Sequence, residues 1–447
     1  MALWKTPKVA WNGEVGVCCM DVGMALSLGN IKDHTLDEMW MSPKIKEWRL
    51  HHIRGEFNKV KGKNPDGSTF SCAKCNGIKF PGISDEEIVK YLKAVGEEKE
   101  IEPYLKRVKK EEQYICTRPF SYIEINEDGE CSFCCYNWQT KHESLEKKSL
   151  KEIWNGPTAQ SIREGILNGT FEYCNKSLCP HFKRKSGYVK RISDIKYPAI
   201  KEAIINKEVK LSYGPKEINA CYDPSCNLCC PSCRLEIKMV QGEQKKKVDM
   251  FHKKVIDAMQ DTKKLIVTGS GEPFVSPVFR PWLQKMQPKD YPKLEHICLL
   301  TNGQLLFKSM WDSLSKIHKL IKSIEIGIDA ANPETYAKNR PGGSFEILMG
   351  NLRFISTLNI ETTLTFTVQN NNFLEMQEFV KLAKEFGMKV MFKVLVNWGT
   401  FSDEEYKKRA VHLNTHPKHS EFVEMIHKQD FFESDVQLGN LSKYVRD

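Results

Sequence analysis

In the segment Asp223-Pro224-Ser225-Cys226-Asn227-Leu228-Cys229-Cys230-Pro231-Ser232-Cys233-Arg234, three thiols, Cys226, Cys230 and Cys233, stand at CxxxCxxC spacing directly after a strand pattern. Three thiolates hold three irons of a cubane. The fourth iron is then left without a protein ligand, an open position of the kind a catalytic metal centre needs to bind a small molecule. A competing reading pairs Cys226 with Cys229 and Cys230 with Cys233 as four zinc ligands, but zinc knuckles are normally separated by a longer loop. On the first reading Cys229 is a spare thiol in the loop and Cys221 a buried strand residue.

Sixteen cysteines in 447 residues make thiol chemistry the main theme of the chain. The N-terminus has no basic stretch followed by an apolar run and a small-residue cleavage site, so a cytoplasmic location is expected. Clustered thiols there ligate metal or react, and rarely form disulfides. Two further cysteine groups lie in an internal repeat. Residues Asn12 to Asp21 (NGEVGVCCMD) match Asp128 to Asn137 (DGECSFCCYN), and Thr35 to Trp40 aligns with Ser149 to Trp154. At the same offset Pro43, Arg49, Gly55 and Phe57 meet Pro157, Arg163, Gly169 and Phe171. Each Ser/Thr-x-x-Glu reads as a capping box opening a helix whose Trp faces the core. Cys72 and Cys75 close the first copy, Cys174 and Cys179 the second, as expected of one metal-binding module present twice.

The elements that must position these groups follow from periodicity. The length suggests two to four domains at roughly 100–200 residues each, and no apolar run reaches the roughly 18–20 residues that cross a bilayer. From about Lys216, short β-branched strands alternate with amphipathic helices, the pattern of a parallel sheet. Six strand candidates, Glu217–Tyr222, Lys264–Thr268, His296–Thr301, Ile324–Asp329, Thr362–Val368 and Lys389–Val396, predict an α/β fold. Its form is a partial (β/α)6 TIM-like barrel with a reactive centre at the C-terminal strand ends. Two small α+β cysteine-rich modules precede it. The expected boundaries are 1–96 and 116–182 for the modules, 97–115 for a linker, 183–215 for a basic linker, 216–400 for the core and 401–447 for a helical tail. The net charge is +10, and ten basic against four acidic residues lie between Lys183 and Glu217. That strip reads as a solvated linker or as a docking surface for an acidic peptide, a phosphate-bearing substrate or nucleic acid.

The cysteine loop resembles that of the radical S-adenosylmethionine (radical SAM) superfamily, and the likeness runs from Lys216 to Val396. Thr268-Gly269-Ser270-Gly271-Glu272-Pro273 is similar to the family's GGEP element, with Ser270 in place of the second Gly. The resemblance implies that this stretch contacts the methionine amine. It also implies a [4Fe-4S] cluster on Cys226, Cys230 and Cys233, which with S-adenosylmethionine generates a 5′-deoxyadenosyl radical that removes hydrogen from a substrate C–H bond. Asn302, ending the third strand, Asp329 and Arg340 are further candidates at the cofactor; either of the last two equally suits a cap or ion pair. Gln369 and Asn370 suit ribose contacts by position, and Val396 an adenine slot. Trp398 reads as a packing or stacking aromatic, Cys298 as core, and His412, His416 and His419 complete no convincing metal set.

Cys116, Gly129 and Cys134 agree with the opening of the SPASM domain, the auxiliary-cluster module of the same superfamily. The implied ligands are Cys116, Cys134, Cys174 and Cys179, with the choice among Cys131, Cys134 and Cys135 open, and in the first copy Cys18, Cys19, Cys72 and Cys75. One or two auxiliary Fe–S clusters, zinc, or simple stapling of a small domain all suit these sets. Unlike most relatives, the modules precede the core. The resemblance points to peptide or protein modification by dehydrogenation, cross-linking or epimerisation, with an external electron donor such as a flavodoxin or ferredoxin. A carbohydrate or aminocyclitol substrate is the alternative, and a non-catalytic Fe–S or zinc protein that binds nucleic acid is a third reading.

Overall fold

The computed structural model describes residues 2–5, 7–18, 21–72, 83–111, 113–176, 179, 181–182 and 185–445. Two compact units divide them, one of residues 1–115 with 189–207, the other of 116–188 with 208–447. Among the described residues no helix is long and apolar enough to cross a membrane.

In the first unit, Lys8–Val9, Glu14–Gly16 and Ser27–Asn30 form an antiparallel sheet. Thr35 and Glu38 make the reciprocal capping box that opens the helix Leu36–Trp40, satisfying donors a helix start otherwise leaves orphaned. The helix Pro43–Arg54 follows, with Pro in its first turn, where no amide hydrogen is needed. Val17, Leu26, Ile45, Trp48 and Val60 bury one core, and Ile53, Ile88, Leu92 and Tyr104 a second. Arg49 is buried with them; it donates to the carbonyls of Leu3 and Trp40 and lies over the Trp40 ring at 4.8 Å.

The second unit repeats this plan and then departs from it. Its strands are β1 (Tyr122–Ile125), β2 (Glu130–Ser132), β3 (Glu143–Ser144), β4 (Glu217–Ala220), β5 (Lys264–Val267), β6 (His296–Thr301), β7 (Ile321–Gly327), β8 (Glu361–Val368), β9 (Lys389–Val394) and β10 (Val436–Gln437). They make one ten-stranded sheet of order β10-β9-β8-β7-β6-β5-β4-β1-β2-β3. The six expected core strands are β4 to β9, neighbours in chain order and parallel, with helices in every crossover: α1 (Gly242–Ile256), α2 (Phe279–Lys285), α3 (Lys308–Asp312), α4 (Pro333–Asn339), α5 (Phe345–Ser356) and α6 (Met376–Glu385).

Two additions extend the sheet. The hairpin of the second cysteine segment pairs β1 in parallel with β4, and the tail supplies β10 beside β9 as well as the helices Asp403–Arg409 and His419–Ile426. Gly129 turns the β1–β2 hairpin at φ +79°, and a side chain there would collide with the Phe251 ring of α1, whose atom lies 2.2 Å from the position of a Cβ. Ser149 and Glu152 repeat the capping box ahead of the helix Leu150–Trp154. Arg163 repeats Arg49: it is fully buried, donates to the carbonyls of Pro119, Trp154 and Val209, and lies 4.6 Å over the Trp154 ring.

The two sheet faces of the core differ in polarity. Ile324 and Ile326 of β7, Leu364 and Phe366 of β8, and Val390 and Phe392 of β9 are buried on one face. The alternate positions hold Ser323, Glu325 and Gly327, Thr363 and Thr365, and Met391 and Lys393. A period of two puts these on the opposite face, where they meet the functional site.

Candidate functional site

Cys226, Cys230 and Cys233 line a single cavity at the C-terminal ends of the core strands, together with Leu228, Arg234, Thr268, Gly269, Ser270, Gly271, Leu300, Thr301 and Asn302. Glu325, Gly327, Arg340, Thr365 and Lys393 complete its wall. The loop that carries the thiols is tied to itself and to its surroundings. Cys226 N donates to Lys238 O at 2.8 Å, Cys233 N to Cys230 O at 2.8 Å, and Cys229 N to Pro341 O at 3.1 Å. Cys229 is not among the groups that line the cavity; its thiol donates to the carbonyl of Arg234.

The Gly-Ser-Gly-Glu turn after β5 lies against this loop. Glu272 N donates to Ser225 O at 2.8 Å, and a Cβ on Gly271 would stand 2.4 Å from the carbonyl oxygen of Asp223 and 2.7 Å from that of Ser225. Only glycine permits that approach. Glu272 is itself buried beneath the turn, where its carboxylate accepts from Asn302 N at 2.7 Å, from the Thr301 hydroxyl at 2.9 Å and from Phe274 N at 3.2 Å. Burial outweighs these donors and raises its pKa to about 7. Pro273 is buried after it, and Asn302 donates to Asn227 Oδ1 at 2.9 Å.

Two guanidinium groups flank the thiols. Arg234 donates to Pro224 O at 2.6 Å, to Ser270 O, and to Cys233 Sγ at 3.5 Å. Arg340 pairs with Asp329 at 2.8 Å and points Nη1 at Cys230 Sγ, 3.6 Å away, while its buried Nε has no partner among the described residues. Burial pushes the Cys230 thiol up to about 11 and raises that of Cys226, with Arg340 and Arg234 respectively acting against it. Iron must therefore displace protons from these thiols when it binds. Asp329 and Arg340, each read from sequence as a cofactor contact or as a cap or ion-pair residue, pair with each other. Asp329 also accepts from Thr367 N at 2.6 Å.

The remaining expected contacts sit outside this cavity wall. Gln369 and Asn370 follow β8 directly, and each keeps a buried amide oxygen, Oε1 and Oδ1, with no partner among the described residues. Val396 follows β9 and is partly buried, Trp398 is 60% exposed, and Cys298 is buried within β6. The sequence reading missed Arg234, Glu325, Thr365 and Lys393. Its available signal was a polar residue at every second position of strands whose alternate positions are Ile, Leu and Phe.

The second cysteine segment gathers Cys116, Cys134, Cys135, Cys174 and Cys179. Burial raises the pKa of Cys116 to about 12 and that of Cys174 to about 11; Cys174 and Cys179 act on Cys116, Cys116 acts on Cys134, and Cys179 acts on Cys135. Cys131 stands apart, fully buried in β2, with Glu143 and Glu130 as its charged neighbours. In the first segment Cys18 and Cys72 are partly buried, and Cys19 and Cys75 lie outside the described residues. Among the described residues no three His, Cys, Asp or Glu side chains sit close enough to hold a single metal ion. A cubane asks instead for thiols spread around a socket, one to an iron, and three cavity-lining thiols beside two guanidinium groups and an approachable glycine turn fit that group.

Residues 223–383 match the model of the radical SAM superfamily. Residues 1–76 and 116–191 match that of the SPASM iron-sulfur cluster-binding domain. No curated protein matches the chain in sequence. Among solved structures, native anSMEcpe with bound AdoMet and Kp18Cys peptide is similar at 20% identity and a TM-score of 0.32, over 39% of this chain and 49% of that one. Streptococcus suis SuiB bound to precursor peptide SuiA is similar at 12% identity and a TM-score of 0.34, over 72% of this chain and 76% of that one. The chain thus spans about half the length of the anSMEcpe structure. A [4Fe-4S] cluster and S-adenosylmethionine are the cofactors this family brings to the core, and the SPASM segments bring auxiliary Fe–S clusters. The chain carries a radical SAM domain over residues 223–383, with SPASM-type segments ahead of it.

Proposed function

We propose that this protein is an enzyme that modifies a peptide or protein side chain by radical chemistry. The observation that carries the reading is the seating of the glycine turn against the three-thiol loop, through Gly271 and the Glu272 N to Ser225 O bond. When bound, the reduced cluster and S-adenosylmethionine supply a 5′-deoxyadenosyl radical that takes hydrogen from a substrate C–H bond. Cys226, Cys230 and Cys233 hold the cluster. Gly269, Ser270 and Gly271 present backbone to the methionine amine, and Glu272 fixes that turn through Thr301, Asn302 and Phe274. Asp329 holds Arg340 beside Cys230. Gln369 and Asn370 offer uncommitted buried amide oxygens to hydroxyl donors such as those of a ribose, and Val396 borders the adenine.

We read β4 to β9 as a partial barrel whose polar face orients the substrate and excludes water. The SPASM-type segments favour a peptide substrate and dehydrogenation, cross-linking or epimerisation as outcomes, with a flavodoxin or ferredoxin as electron donor. Anaerobic reconstitution tests the reading: four irons at the core site and 5′-deoxyadenosine from S-adenosylmethionine and dithionite are expected. Replacement of Cys226, Cys230 and Cys233 by Ala should abolish that product, and undiminished 5′-deoxyadenosine from the triple variant would refute the assignment.

A further inference from the structure

We infer that Arg118 is the fixed buried counter-charge of the iron-sulfur centre held by the second cysteine segment, and that it sets the potential of that centre. The inference rests on the Fe–S character of this segment and not on the chemistry at the core loop.

Arg118 is 8% exposed, two residues after Cys116. Its guanidinium lies between two tyrosine rings, 3.8 Å from the centre of Tyr122 and 4.3 Å from that of Tyr188, which fixes its position. Its Nε is buried with no partner, and no carboxylate pairs with it, among the described residues. The carboxylates on the neighbouring strands are engaged elsewhere. Glu124 accepts from the Tyr122 hydroxyl at 2.6 Å and from Tyr136 N at 3.2 Å, and Glu217 accepts from the Tyr188 hydroxyl at 3.1 Å. The Tyr136 contact also fixes the place of the adjoining Cys135. Other buried arginines among the described residues have the partner that Arg118 lacks: Arg49, Arg163 and Arg234 donate to backbone carbonyls, and Arg340, whose Nε is also unpartnered, pairs with the Asp329 carboxylate.

A buried cation without an anion is expensive. Burial works against the charge of this one, and Tyr122, then Cys135 and Cys134, act to sustain it. A cysteine-ligated iron-sulfur centre carries net negative charge, and Arg118 is the buried cation that faces it. Reduction adds one electron from the titrant; no bond forms or breaks, and the centre becomes more negative by one unit. A fixed cation next to it favours that reduced form and holds the potential up.

The test uses the full-length protein, loaded with iron and sulfide, in the Cys226→Ala/Cys230→Ala/Cys233→Ala background so that core signals are removed. Loss of a signal on Cys174→Ala identifies the second segment's centre, and its midpoint is then read by EPR during a dithionite titration. Arg118→Met should shift that midpoint to more negative potential, while Arg118→Lys, which keeps the charge, should stay near the parent. Loading of the Lys variant where the Met variant takes up no iron also supports the role of the charge. An unshifted midpoint in a fully loaded Met variant, an equal shift in both variants, or failure of both to load overturns the inference. If Cys174→Ala changes neither iron content nor spectrum in the parent, the Fe–S assignment of the segment is what falls, and the inference with it.

Discussion

At the scale of single residues, the site is governed by close approach and by buried charge. Gly271→Ala inserts a methyl group into the carbonyls of Asp223 and Ser225, so the glycine turn must withdraw from the thiol loop. Formation of 5′-deoxyadenosine should fall at least tenfold while iron content at the core is retained. Asp329→Asn leaves the Arg340 guanidinium buried and unpaired, a change that typically costs about 3–5 kcal/mol; denaturant unfolding of the metal-free protein should register it. Glu272 gives a pH signature. Its folded pKa of about 7 lies above its ordinary 4.5, so between those values the folded state holds a proton the unfolded chain has released, and stability falls as pH rises. The neutral buried His52, His252 and His412, each lowered to about 4, act in the opposite sense. The check is therefore differential: the stability of the parent relative to Glu272→Gln should decline from pH 4.5 to about 7 and level off above it. The thiols were legible in the sequence from their spacing, and the glycine turn from its resemblance to the family's GGEP element. Glu325 and Lys393 were not, because a lone charged residue in a strand shows its face only once the register of its neighbours is known. The same holds for Asp329 and Arg340, whose pairing depends on where the chain returns between α4 and β8.

At the scale of elements, local signals were read well and long-range pairing was not. The strands β4 to β9 fall where hydrophobic alternation puts them. Some end early: β4 stops at Ala220, two residues short of the expected Tyr222, because Asp223 accepts from Ser225 N and bends the chain into the thiol loop. Both expected capping boxes are present, and Thr35→Ala or Ser149→Ala should each cost about 1 kcal/mol, seen as a lowered denaturation midpoint with unchanged slope. The four residues of β1 carry no mark of their partner, so the parallel β1–β4 ladder was invisible before the structure. That ladder covers the edge of the core sheet. A chain starting at residue 208 would expose the unpaired edge of β4, and unpaired edges template association; size-exclusion chromatography should show aggregates where the full chain elutes as a discrete species.

At the scale of the whole molecule, the repeat in sequence is a repeat in structure, but its two copies belong to different compact units, each with its own buried arginine. The return of residues 189–207 to the first unit has no counterpart in the motifs, since contact density, not composition, decides where a unit ends. Calorimetry should therefore show unfolding that is not a single two-state transition. Arg49→Met should lower the transition of the first unit and Arg163→Met that of the second. In the second unit, the thiols near β1 and the thiol loop after β4 hang from adjacent strands of one hydrogen-bonded ladder, continued by Cys221 N donating to Ile125 O. The gap between these two sets of sulfurs is thus ruled off by backbone, like marks on a rigid scale. Tunnelling across such a gap decays steeply with distance, so its rate should be insensitive to solvent viscosity and nearly the same before and after substrate arrives.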